Sequence, residues 1–236
     1  MHLYPLSTSE TTSKMLLLLL LVTSCSAIPN DLSNKMFTFP QETNTAHVRL
    51  TTSRQNLRAV TVCFRFFTDL KRDHALFSLA LPSFDNAFLF YNLAKLDSFQ
   101  IYVNNMVTNF EGLDFKLNKW HSICATWDST SGVVQLWLDG EPSNRKFTSS
   151  GSNINGPIIV ALGQEQDTHG GGFDAKQSFV GMMSDVHMWD YKLSSCEIHR
   201  YVDESGFTEG NVLNWNALEF QIIGRVMIEN KLDVCQ

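Results

Sequence analysis

The run His121-Ser122-Ile123-Cys124-Ala125-Thr126-Trp127, then Asp128-Ser129-Thr130-Ser131-Gly132, then Val133-Val134-Gln135-Leu136-Trp137-Leu138, decides the fold. Side chains alternate in character through both outer runs, the period-two pattern of a strand with one buried face. The central five residues are turn chemistry, so the two runs form a hairpin. Asp139-Gly140 then ends the second strand with a strong turn signal.

The same alternation extends on both sides. In Ala59–Phe67, Val60, Val62, Phe64 and Phe66 alternate with Thr61, Cys63 and Arg65. Further strands are expected at Ala75–Leu81, Asn86–Tyr91, Phe99–Val103, Pro157–Leu162, Ser178–Trp189 and Val212–Leu218. One helix stands out: Ser194 and Glu197 fit a capping box, and Cys196–Val202 runs helically until Gly206 stops it. Many short strands with a single short helix predict an all-β, two-sheet antiparallel sandwich.

The amino-terminal stretch is read as a leader. Lys14 precedes Met15 and the apolar run Leu16–Leu21, and the small residues Ser24-Cys25-Ser26-Ala27 follow. That pattern predicts a signal peptide over 1–27, with Met15 as an alternative start to Met1. The run falls short of the roughly 20 apolar residues a membrane span needs. Removing 27 of the 236 residues leaves 209, enough for one domain over 28–236, and takes away one Glu and one Lys. The net charge stays at −6. A mildly acidic chain without a Lys/Arg cluster is a poor partner for nucleic acid or an anionic membrane. Four cysteines remain, Cys63, Cys124, Cys196 and Cys235, and an even number in an exported chain favours disulfides over thiols or zinc. His121, beside a Cys and near a Trp on a strand, reads as a packed, hydrogen-bonded side chain, and Trp127 and Trp137 read as packing residues.

His121-x-x-Cys124-x-Thr126-Trp127-x-Ser129 resembles the signature of the pentraxin family. Phe37-Thr38-Phe39-Pro40, Thr61-Val62-Cys63, Leu162-Gly163-Gln164-Glu165-Gln166-Asp167, Met188-Trp189-Asp190 and Val212-Leu213-Asn214-Trp215 are also similar to family phrases, in the expected order. The resemblance implies a flattened jelly roll with the helix on one face, and a Cys63–Cys124 disulfide. It leaves Cys196 and Cys235 over, as a second bridge from helix to tail or as a link between subunits. It implies a secreted protein without enzymatic activity, a ring of subunits, usually five, and an opposite face that engages complement, where Asp139 falls at one effector position.

Calcium prefers six to eight oxygens from carboxylates, amides, backbone carbonyls and water. The segment from Gly163 to Asp174 supplies such oxygens densely, and Gly170-Gly171-Gly172 lets the backbone turn sharply. Asp85-Asn86, in the turn Pro82-Ser83-Phe84-Asp85-Asn86, matches the family's calcium pair. Carried over by position, one Ca²⁺ takes Asp85, Asn86, Glu165, Asp167 and the Gln166 carbonyl. A second shares Glu165 and Asp167 and adds Asp174 and Gln177. The family usually has Glu where this chain has Asp174, which shortens the reach to the second ion. Phosphate-bearing or saccharide ligands would complete the two ions beside an aromatic wall from Phe90 or Tyr91. The family's acidic choline-binding position falls near Val107, which carries no charge. Two rivals share the shape. A glycoside hydrolase needs two carboxylates flanking the bond, and after Glu165-x-Asp167 the next acidic position is Gly170-Gly171. A laminin-G-like adhesion module would act as a monomer.

Overall fold

The computed structural model describes residues 29–231, except 96. The expected leader, its start and cleavage points, and Cys235 lie outside the described residues, so the proposed Cys196–Cys235 bridge does too. The quoted hairpin is present. Its strands are β8 (His121–Asp128) and β9 (Val133–Leu138), paired from Ile123↔Leu138 to Trp127↔Val134. Within β8, Ile123, Ala125 and Trp127 point into the core, while Cys124 points to the other face.

Thirteen further strands complete the two sheets of the described residues. Before the hairpin come β1 (Lys35–Phe39), β2 (His47–Leu50), β3 (Ala59–Phe67), β4 (His74–Leu81), β5 (Phe84–Asn92), β6 (Phe99–Val103) and β7 (Met106–Phe110). After it come β10 (Glu141–Pro142), β11 (Lys146–Phe147), β12 (Ile159–Leu162), β13 (Gly181–Trp189), β14 (Phe220–Ile223) and β15 (Met227–Asn230). One sheet runs β10-β9-β8-β3-β13-β1-β15, with β11 also on β9; the other runs β14-β2-β12-β4-β5-β6-β7. All pairings are antiparallel. Between the sheets lies a phenylalanine-rich core in which Phe64 meets Phe77 and Phe90. Burying each such ring stabilises the fold by about 2–3 kcal/mol.

Helix α1 (Ser195–Val202) begins with the expected capping box: Ser194 Oγ accepts from Glu197 N–H, and the Glu197 side chain accepts from the Ser194 backbone. It lies on the outer face of the first sheet, where Ile198 and Tyr201 cover Trp137, Trp189 and the Cys63–Cys124 disulfide. That disulfide joins directly paired residues of β3 and β8.

Several expectations change. Val212–Leu218 is not a strand. Leu213 makes one bridge to Met188, and Trp215–Ala217 form a 3₁₀ turn capped by Asn214, whose side-chain oxygen accepts from Asn216 N–H. Asn side chains that bond the local backbone compete with a ladder, and the apolar spacing conceals this. The strand expected from Ser178 starts at Gly181, which must stay unsubstituted because a Cβ there would stand 2.1 Å from the Phe67 carbonyl oxygen. The strand expected from Pro157 starts at Ile159. Strands β1, β2, β7, β14 and β15, all five residues or fewer, were not marked by alternation. Asp85 and Asn86 stand on β5, just past a tight turn at Pro82-Ser83, and not in the turn itself.

Candidate metal centre

Two segments meet on the outer face of the second sheet. The β4–β5 hairpin brings Asp85 and Asn86 to its end, and the loop leaving β12 brings Glu165, Gln166 and Asp167. The loop is fixed by amides. Gln166, fully buried, donates from Nε2 to the carbonyl oxygens of Ser78 (2.9 Å) and Ile159 (3.2 Å), and its Oε1 accepts from Gly170 N–H at 2.9 Å. Gln164, also fully buried, donates to the carbonyls of Thr43 and Ala46. Thr168 and Gly171 then exchange backbone bonds. Gly172 turns back with φ +78°, so close to Asp167 that a Cβ would lie 2.8 Å from that residue's Cβ.

On this frame the carboxylates crowd. Burial, and next the Asp167 carboxylate, push Glu165 up to about 7; the Asn86 side-chain amide acts in the opposite direction, and Asp85 adds to the rise. These are the signatures of acidic groups held within interaction range in a dry setting. Asp85 and Asp167 also line one cleft of about 290 Å³, with Asn105 and His169. Asn105 Oδ1 accepts from Asn86 N–H at 2.9 Å and steadies the hairpin end.

Gln177, in the 3₁₀ turn Ala175–Gln177, acts on Tyr91, which also feels the charge of Glu165. Tyr91 is mostly buried, and burial with the charge of Asp73 pushes it up to about 12. Asp174 stands apart. It is exposed, and its carboxylate caps the same turn by accepting Lys176 N–H at 2.9 Å.

Three of the expected ligands have a side-chain oxygen buried without a partner, Asn86 Oδ1, Glu165 Oε2 and Gln177 Oε1, as does Gln164 on the same loop. A buried acceptor left unpaired costs about 1–3 kcal/mol. Amide and carboxylate oxygens, all acceptors, suit a hard cation such as Ca²⁺ and no hydrogen-bond donor supplied by the fold. Among the described residues, no three carboxylate, imidazole or thiolate groups gather into a metal-holding set. The cluster instead mixes carboxylates with amides, so its donor set is only partly acidic.

The aromatic wall also resolves. Phe90 is fully buried between the sheets against Phe64 and Phe77, so it is not a surface residue; on a strand, neighbours face opposite sides. Tyr91 faces outward with Ala75 and Leu89, beside Tyr102 and Leu93. Tyr102 pairs across strands with Val107, which is 47 % exposed and apolar. Sequence reasoning missed Tyr102, Asp73 and Asn105; Tyr102 shares Tyr91's face through the Leu89↔Tyr102 pairing, a relation visible only with the register. His121 is buried, bonded through Nδ1 to Asp139 Oδ2 (2.7 Å) and through Nε2 to the Lys116 backbone, which is a packing role. Asp139 also accepts from Ser122 N–H, so it closes the β9 turn.

The comparisons agree with this architecture. The family model described as Pentaxin family matches residues 35–230. The chain is 38 % identical over 203 residues to serum amyloid P-component of Mus musculus, covering 86 % of this chain and 89 % of that one. It is 37 % identical over 217 residues to mucosal pentraxin of the same species, covering 92 % and 96 %. The crystal structure of a native heptameric SAP-like pentraxin from Limulus polyphemus superposes with TM-score 0.79 at 26 % identity, covering 85 % of this chain and 96 % of that one. Among the described residues no helix is long and apolar enough to cross a membrane.

Proposed function

Because the chain belongs to the pentaxin family, we propose that it is a secreted, calcium-dependent recognition protein, a single domain over 28–236 following its leader, and a binder with no catalytic role. One Ca²⁺ is held by Asp85, Asn86, Glu165, Asp167 and the Gln166 carbonyl. A second is held by Glu165, Asp167, Gln177 and Asp174. The observation that carries this reading is the set of three partnerless buried oxygens, on Asn86, Glu165 and Gln177, from three separate segments. Asp174, exposed and engaged in a turn, makes the second ion the weaker, with a dissociation constant of roughly 10⁻⁴–10⁻³ M.

The ions supply a pair of positive charges with open coordination positions, and the ligand is a surface phosphate or an acidic saccharide that fills them. Tyr91 and Tyr102 give it an apolar wall. With Val107 where an acid would hold a quaternary ammonium, phosphocholine is disfavoured against phosphoethanolamine and acidic glycans.

Single sites of this kind bind weakly, and several on one ring raise apparent affinity by about 10²–10⁴. The first sheet favours a ring, because its two ends differ. Phe147, 65 % exposed, stands at the β11 end, and Met227 and Ile228, 38 % and 42 % exposed, stand on β15 at the other. Joining unlike ends head to tail closes a ring when the rotation allows, here of about five subunits as the family implies. The face carrying α1 is then left for partners such as complement components.

The test is retention on phosphocholine, phosphoethanolamine and galactan matrices in calcium, with elution by chelator. Retention on at least one matrix, released by chelator and lost in Glu165→Gln, is expected. Retention indifferent to both sinks the reading. Hydrolysis of a glycan abolished by the same substitution would favour the glycosidase alternative, and a monomer in solution the adhesion-module alternative.

A further inference from the structure

On the face that carries α1, away from the metal cluster, a cavity of about 440 Å³ opens beside β9 and the segment entering the helix, larger than the cleft at Asp85. Its apolar lining comes from Val133, Leu193 and Trp137. Two cations, Arg145 and Lys192, line it as well. Trp137 is 4 % exposed, and its indole N–H is buried with no acceptor. An indole N–H is a donor only, so an acceptor must come from outside to satisfy it.

The cations are available. Arg145 is held in place by donating from Nε to Gln135 Oε1 at 3.0 Å, which leaves its terminal nitrogens uncommitted among the described residues. Lys192 lies 3.8 Å from Asp128 Oδ2, the long limit of an ion pair, and its side chain is 51 % exposed. Asp128 already accepts from Ser131 Oγ and from the backbone N–H groups of Thr130 and Ser131. The helix end contributes little attraction, since Glu197 already closes it.

We propose that this cavity is a calcium-independent site for a small organic oxyanion, a carboxylate or sulfate ester on a ring-shaped body. The ring lies over half-buried Val133, against the edges of Trp137 and Leu193 that line the cavity; the oxyanion takes the indole N–H and the Arg145 guanidinium, whose fork matches two oxygens, with Lys192 as the second charge.

Saturation-transfer NMR suits a large assembly and weak ligands. The probes are phenyl sulfate and benzoate, with benzyl alcohol as the uncharged analogue, all in chelator. Transfer to both anions is expected, at least tenfold stronger than to benzyl alcohol. It should vanish in the Arg145→Glu/Lys192→Glu variant, whose changes lie at the surface, and persist in Glu165→Gln. Trp137→Phe keeps the apolar surface and removes the donor, so affinity should fall about tenfold, the loss of one charge-assisted hydrogen bond. Equal transfer to benzyl alcohol, a requirement for calcium, or no response to either the charge reversal or Trp137→Phe overturns the proposal. Loss in Glu165→Gln would also overturn it, by assigning the signal to the metal cluster.

Discussion

The Gln166 side chain clamps the loop after β12 onto Ser78, donating to its carbonyl oxygen at 2.9 Å while the Gln166 N–H donates to Ser78 Oγ at 3.2 Å. On the proposed reading the clamp sets the backbone direction at the Gln166 carbonyl, the oxygen assigned to the first ion. Gln166→Met fills the same volume and removes the amide. We expect it to cost about 1–3 kcal/mol in chelator and to weaken calcium binding at least tenfold by calorimetric titration. Unchanged calcium affinity would show that the clamp does not hold the loop.

Gly172 presents a sharper constraint. Its φ is +78°, and a methyl group there would press on Asp167. Gly172→Ala should lower calcium affinity several-fold. Gly151→Ala is the matched comparison, since Gly151 has φ +79° and open space around it, so only backbone strain of about 1 kcal/mol applies. If both variants bind calcium equally, Gly172 does not shape the site.

Stability should fall with acid through two buried imidazoles. His74 and His187 are each lowered to about 4 from 6.5, mainly by burial. His187 Nδ1 accepts from Gly210 N–H, and His74 Nε2 is buried without a partner. Asp185, Glu209 and Lys231 act on His187, Arg72 and Asp73 on His74, all less than burial. Between pH 6.5 and 4 the unfolded chain binds protons that the folded chain does not, so the stabilisation is complete above 6.5 and lost as pH falls to 4. At most about 3 kcal/mol per residue is at stake. Urea midpoints measured across that range should drop, and the drop should shrink in His74→Gln/His187→Gln. A parallel profile in the double variant would assign the acid sensitivity elsewhere.

The ends of the first sheet make a complementation experiment possible. Phe147→Glu and Met227→Glu should each disperse the assembly to monomers in sedimentation velocity. Mixed, they should form dimers, because each retains the end that the other has lost. A two-fold contact between like ends would instead leave one of the two variants dimeric on its own, before mixing.

Much of the fold is legible from residue order alone. Ala59–Phe67, Phe99–Val103 and Val133–Leu138 have the expected limits because apolar residues alternate along each run and turn residues bound it. The helix follows from Ser194 and Glu197. Short edge strands such as Met227–Asn230, exposed along their whole length, carry no burial signal to read. Asp85, Asn86 and Asp167 all interact with Glu165, although Asn86 and Glu165 are 79 positions apart in the sequence. The choice between Phe90 and Tyr91 needed the strand's facing, and Tyr102 needed the cross-strand register.

Along Gln164-Glu165-Gln166-Asp167 the two amides hold the fold and the two acids do not. Scaffold and chemistry are therefore written in alternate letters of one short word. A descendant could exchange both acids, lose the proposed ion and take up another trade, while the glutamines kept the architecture standing.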